Sequence, residues 1–126
     1  MNDQQITDTI TATLAQLARP DTVEAIAAAA ATTGVRGVCK SAEHCIIAEL
    51  LRAVLGSYTP ADLEILPNDD PALAEVTWTA WTAAHDYDYP PEFVARSVPL
   101  PDKLNTLAMG FDQGDYPELI AGGAAA

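Results

Sequence analysis

The sequence predicts an α+β fold with about four helices packed on a small three-stranded antiparallel sheet. Ala supplies 24 of the 126 residues, and this composition favours helix over sheet. Apolar residues recur every three or four positions near both ends of the chain, whereas they alternate with polar residues in its middle. The length suits one domain, so we expect residues 1–121 to form a single globular unit and residues 122–126 a flexible tail.

The first two helices are predicted from the N-terminal quarter. Residues 4–18 place their apolar side chains on one stripe. These side chains are Ile6, Ile10, Leu14 and Leu17. Pro20 breaks this helix, and Asp21 is the predicted N-cap of the second helix, because Glu24 follows it by three residues as in a capping box. The second helix is expected to run to about Thr33 and to contain five consecutive alanines, which let a neighbour approach closely.

The other two helices flank the middle region. Ser41 is a suitable N-cap for a helix over residues 42–55, which Gly56 ends. This is the most apolar segment, so we expect it at the centre of the core. The last helix is predicted over residues 102–113, and Tyr116 and Leu119 are expected to fold back onto it.

Between these helices the apolar period changes to two. Residues 63–66 form a short predicted strand, and residues 67–71 contain a strong turn signal. Residues 73–81 alternate, as a half-buried strand does, and residues 92–98 form a third candidate strand. The short links favour antiparallel pairing.

The charge excludes several functional classes. Six Lys and Arg against 18 Asp and Glu give a net charge of −12. Six scattered cations are too few for direct nucleic-acid binding, which requires neutralisation of phosphates. No apolar run could span a membrane, and the first 20 residues carry acids and no basic n-region, so we expect no secretory signal. We therefore expect a cytoplasmic protein. Without a glycine-rich phosphate loop, we expect no cofactor.

Cys39, His44 and Cys45 form the first group with candidate chemistry. Structural zinc needs four ligands in close pairs, and only His85 remains as a fourth, so we expect no metal. The favoured interpretation is a buried, structural Cys45, because free cysteine packs as a small apolar residue. A nucleophilic Cys45, with its pKa lowered at a helix N-terminus, is the alternative.

Acidic and aromatic residues form the second group, in the segment from His85 to Tyr89. Asp86 and Asp88 are spaced to hold a divalent cation, but acids beside tyrosines also suit an anchor for a basic protein surface. The simplest interpretation is a solvated loop. Trp78 is expected in the core, and Trp81 is expected to face the other way as an exposed contact.

Two stretches of the sequence follow a recurring pattern. The first is Gly34-Val35-Arg36-Gly37 with Cys45 opening an apolar run, and the second is the segment Phe111–Leu119, which reads Phe-Asp-x-Gly-x-Tyr-Pro-x-Leu. Together they resemble small uncharacterised proteins of high-GC Gram-positive bacteria and of their phages and mobile elements, although Ile46 replaces a proline of that pattern. The resemblance implies such a source and a helix–strands–helix layout, and it implies no activity.

The function predicted from the charge is that of a small, acidic, non-catalytic interaction protein. Its partner is expected to be a basic protein surface, and with a phage source that partner would be a host nucleic-acid-binding protein that the acids engage as a nucleic-acid mimic or inhibitor. The predicted contact residues, expected around the strand ends, are Asp69, Asp70, Trp81, Asp86, Tyr87, Asp88 and Tyr89. Three alternatives stay open. One is an enzyme or ligand-binding protein using Cys45 or the Asp86/Asp88 pair, another is a homo-oligomer joined through the Ala-rich helix, and the third is charge that serves solubility alone.

Overall fold

A computed structural model of the protein describes residues 1–82 and 92–122, and within them it contains four α-helices and one three-stranded sheet. The helices are α1 Asp3–Leu17, α2 Val23–Ala31, α3 Ile46–Leu55 and α4 Asp102–Asp112. The strands are β1 Ala61–Leu66, β2 Glu75–Thr82 and β3 Glu92–Pro99. This arrangement confirms the predicted α+β fold.

The sheet has the order β1-β2-β3, and both pairs are antiparallel. The register of β2 and β3 is continuous from Glu75 opposite Pro99 to Thr82 opposite Glu92. The register of β1 against β2 shifts between Ala61 and Glu64, as in a β-bulge. The strands therefore form a simple meander whose central strand is β2.

The helices pack on one face of the sheet. Leu63, Val76 and Trp78 point into that side and are buried, as the alternation predicted for β2. Helix α3 lies at the centre of the core, because Ile46, Ile47 and Leu51 are fully buried. The prediction that this helix organises the core is confirmed.

Two predicted helix starts need correction. The N-cap of α2 is Thr22 rather than Asp21, because the Thr22 hydroxyl accepts a hydrogen bond of 3.1 Å from the Ala25 N–H. Helix α3 begins at Ile46, four residues after the predicted start. Ser41 does act as a local cap, since its Oγ accepts from the His44 N–H at 3.1 Å, but the turn that it closes is separate from α3.

The C-terminal segment folds back against the connector between α2 and α3. Gly114 follows α4 with a φ of 84°, and Leu119 is buried in a short turn, Pro117–Leu119, that packs against α2. The Gly37 N–H then donates to the Leu119 carbonyl at 2.9 Å, and the Ala121 N–H donates to the Gly37 carbonyl at 2.7 Å. Residues 123–126, most of the predicted tail, lie outside the described residues.

Candidate functional site

The sheet has a second face, turned away from the helices, which we call the open face. Cross-strand partners share a face, so the register identifies its members. The open-face residues that matter for binding are each exposed or half-buried. They are Asp62, Glu64, Glu75, Thr77, Thr79, Phe93, Ala95 and Ser97.

Three carboxylates lie along one side of the open face. Glu64 is opposite Thr77 and therefore diagonal to Glu75, a placement that separates such residues by about 7–8 Å. Asp62 belongs to the bulge, with a φ of 56°, and its Oδ2 accepts a hydrogen bond of 3.2 Å from the Thr79 hydroxyl. The three acids form a continuous acidic strip from the bulge to the start of β2.

The basic residues lie elsewhere. Arg96 is on the helix side of β3, where its Nη2 is 2.9 Å from Asp3 Oδ2. Arg52 on α3 contacts Glu49 at 3.0 Å and donates to the Glu43 carbonyl. All six Lys and Arg are in the described part of the chain, and none belongs to the open face.

Direct ion pairing therefore leaves most of the described acids unneutralised. The two Arg–carboxylate ion pairs within residues 1–82 and 92–122 use the carboxylates of Asp3 and Glu49, and His44 also contacts Glu49. The acidic strip takes part in none of them. It follows that the negative charge on this face acts on the surrounding solvent and on any approaching molecule.

The structure separates the predicted contact residues into two groups. Asp69 and Asp70 are exposed in the link between β1 and β2, and Asp70 Oδ1 accepts from the Ala72 N–H at 3.1 Å. Trp81 pairs with Phe93 at the other end of β2, six positions beyond Glu75, which corresponds to about 20 Å. The two groups thus lie at opposite ends of the sheet.

The remaining contact residues cannot be placed on this surface. The side chain of Trp81 and all of Asp86, Tyr87, Asp88 and Tyr89 lie outside the described residues. Their role in binding stays a prediction, as does the exposure of the Trp81 ring.

Asn105 supports the acidic link and was missed in the sequence. Its Oδ1 accepts from the Asn68 N–H at 3.0 Å, and its Nδ2 donates to the Asn68 carbonyl at 2.9 Å. Only 3% of Asn105 is exposed. A polar residue next to the apolar stripe of α4 was the available signal, and this paired hydrogen bond fixes the turn that carries Asp69 and Asp70.

The structure does not bring together the side chains of Cys39, His44 and Cys45 as one site. The Cys39 thiol donates to the Phe111 carbonyl at 3.0 Å, and His44 Nδ1 is 2.9 Å from Glu49 Oε1. Cys45 is buried, as predicted. Among the residues that the structure describes, no group of three His, Cys, Asp or Glu side chains is arranged to hold a metal ion.

Cys45 borders a cavity of about 280 Å³ that Lys40 and Asp112 also line. Burial raises the pKa of its thiol to about 11, although the backbone N–H groups of Ala48 and Ile47 favour the thiolate. The shift is opposite to the one that a nucleophilic cysteine requires. The cavity therefore presents a neutral thiol.

Comparisons with known proteins add no relative. No family model matches the chain, and no curated protein and no solved structure matches it. Within the described residues, no helix has both the length and the apolar character of a membrane span. Functional inference thus depends on the geometry of the molecule itself.

Proposed function

We propose that the protein is a non-catalytic interaction protein that binds a basic protein surface through the open face. The observation that carries this proposal is the acidic strip of Asp62, Glu64 and Glu75, which lies on a sheet face without basic residues. Complementary charge across an interface steers the encounter and selects the partner.

The surroundings of the strip support the same function. Asp69 and Asp70 are exposed in the link that follows β1 and add negative charge beyond the end of the strand. The net charge of −12 adds a long-range field that attracts basic surfaces. A rigid sheet holds the carboxylates at fixed spacings, so the face discriminates among basic partners better than a mobile acidic tail would.

The test replaces the acidic strip by neutral isosteres, Asp62→Asn, Glu64→Gln and Glu75→Gln together. The probe is a fluorescent octapeptide of alternating Lys and Val, and binding is measured by fluorescence anisotropy at 50 and 300 mM NaCl. We expect the wild-type protein to bind more weakly at the higher salt, because screening reduces the attraction. The variant is expected to bind about tenfold more weakly than the wild type at 50 mM, or about 1.4 kcal/mol.

A matched control changes the same amount of charge elsewhere. Asp8→Asn, Asp21→Asn and Glu118→Gln alter three exposed acids outside the sheet. This control variant is expected to lose less than about threefold in affinity, because its charges act only at a distance. Equal losses in the two variants, or no binding by the wild-type protein, would refute the proposal.

A further inference from the structure

We infer that the outer edge of β3 accepts an extended, basic segment of the partner as a fourth strand of the sheet. This inference rests on the proposed function and adds the mode of binding to it. In strand addition, backbone hydrogen bonds supply affinity and alternate side chains supply specificity.

The register shows which backbone groups of β3 point outward. Leu100 extends the pairing of β3, and its N–H donates to the directly opposite Ala74 carbonyl at 3.0 Å. In an antiparallel pair, residues with this bonding alternate with residues whose N–H and C=O point away from the partner strand. Counting back from Leu100, Ala95 and Ser97 therefore direct their N–H and C=O groups to the outer edge of β3.

These groups are available. Within residues 1–82 and 92–122, β3 pairs only with β2, and neither the Ala95 N–H nor the Ser97 N–H has another hydrogen-bond partner. Both residues are exposed. A strand edge with outward N–H and C=O groups is a template for a further strand.

The other edge of the sheet differs. In β1 the outward N–H of Ile65 donates to the Ala42 carbonyl at 2.9 Å. The same strand carries the bulge at Asp62, whose left-handed backbone interrupts the pairing. A straight incoming strand therefore fits β3 and not β1.

Two features that often protect an edge do not close this one. An inward-pointing charge can block strand addition, and Arg96 points to the helix side of β3, but its charge is already paired with Asp3, with its Nε 3.0 Å from Oδ2. Pro99 lacks an N–H, but it is the last residue of β3. The edge remains usable at Ala95 and Ser97.

The charge on the open face indicates a basic occupant. An added strand would lie two strand spacings, about 10 Å, from β2. Ser97 is opposite Thr77 and therefore diagonal to Glu75, and its side chain is small, so a Lys or Arg beside Ser97 in the added strand can extend across β3 toward the Glu75 carboxylate. A second copy of the chain would instead bring another charge of −12 to the same edge.

The experiment uses the Lys-Val octapeptide and two forms of it that are N-methylated on alternate residues, either all Lys or all Val. In an added strand only one of these sets directs its N–H groups at β3. We expect methylation of one set to abolish binding and methylation of the other to leave the affinity within about twofold. The Ala95 and Ser97 amides of the wild-type protein should become protected from hydrogen exchange when the unmethylated peptide binds.

A protein variant tests the same edge. Ala95→Pro removes one outward N–H and is tolerated at a free edge, and it should weaken peptide binding about tenfold. Ala95→Ser keeps the N–H and should bind as the wild type does. The amide protection in the wild-type protein decides the matter even if Ala95→Pro fails to fold.

The outcomes separate this inference from the proposed function. If binding depends on the acidic strip but both methylated peptides bind equally and the amides stay unprotected, strand addition is refuted and the proposed function survives. If no basic probe binds, both fail. If light scattering shows a dimer whose Ala95 and Ser97 amides are protected without peptide, a second copy occupies the edge and the inference is wrong.

Discussion

At the scale of single residues, Cys45 shows two opposing effects on one thiol. The residue is the N-cap of α3, where backbone N–H groups favour a thiolate. It is also almost completely buried, and the loss of hydration outweighs the backbone, so its pKa rises to about 11. Position at a helix start, which is visible in a sequence, is therefore a weak guide to cysteine reactivity unless burial is known as well.

The raised pKa of Cys45 predicts a loss of stability at alkaline pH. The thiol ionises near pH 9.0 in the unfolded chain but near pH 11 in the folded protein, so its contribution is complete below pH 9 and is lost as the pH rises toward 11. Urea unfolding at pH 8 and at pH 10.5 should show a decrease attributable to Cys45 of about 2 kcal/mol. Cys45→Ala should be less stable at pH 8 but lose less between the two pH values, and an equal loss would contradict the assignment.

Other single residues show where sequence reasoning stops. The burial of Trp78 and Cys45 was predictable, because an alternating strand and an apolar helix start each indicate an inward position. The role of Asn105 was not, since its partner Asn68 lies 37 residues away and a long-range hydrogen bond leaves no local pattern. The N-cap of α2 was misplaced by one residue because Asp21 and Thr22 are both good caps.

At the scale of elements, periodicity predicted which segments are helices and strands better than it predicted their ends. The alternation of residues 73–81 identified β2, and the apolar stripe over residues 102–113 identified α4. Helix α3 starts late because the chain first makes a separate turn closed by Ser41, and a cap residue alone does not say which turn follows it. The strand register, which defines the open face, depends on pairings between distant segments and was not predictable.

Gly37, in the connector before α3, has no room for a side chain. A methyl group at Gly37 would lie 2.4 Å from the Ile46 backbone nitrogen, so either α3 or the C-terminal segment bonded to Gly37 must move. We expect Gly37→Ala to lower the free energy of unfolding by roughly 3 kcal/mol, as measured by urea denaturation. Gly34→Ala is the matched control, because its site is open and only its φ of 79° opposes a side chain, at about 1 kcal/mol. Equal effects at the two glycines would show that the contact with Ile46 does not constrain the fold.

At the scale of the whole molecule, the distribution of charge matters more than its sum. The sequence predicted an acidic protein, but it could not show that helices cover one face of the sheet while an acidic strip lies on the other. It also could not show that Asp69 and Asp70 lie at the opposite end of β2 from Trp81, because that placement follows from the direction of β2, which spans about 20 Å from Glu75 to Trp81.

The net charge predicts how salt affects stability. With two Arg–carboxylate ion pairs among the described residues and a charge of −12, repulsion between acids is stronger than attraction in the folded protein. Raising NaCl from 10 to 300 mM should therefore increase the free energy of unfolding by on the order of 1 kcal/mol, measured by urea denaturation. The variant with the acidic strip neutralised should gain less. A decrease with salt would mean that the ion pairs dominate.

The two edges of the sheet have unequal consequences for assembly. Amyloid and other fibrils grow because every added molecule presents a fresh edge to the next one. In this protein the bulge at Asp62 and the bond from Ile65 to Ala42 obstruct the outer edge of β1, so β3 is the one free edge among the strands of residues 1–82 and 92–122. Pairing of two copies through β3 would therefore leave only the two obstructed β1 edges facing outward, and this arrangement opposes growth of the sheet into a fibril.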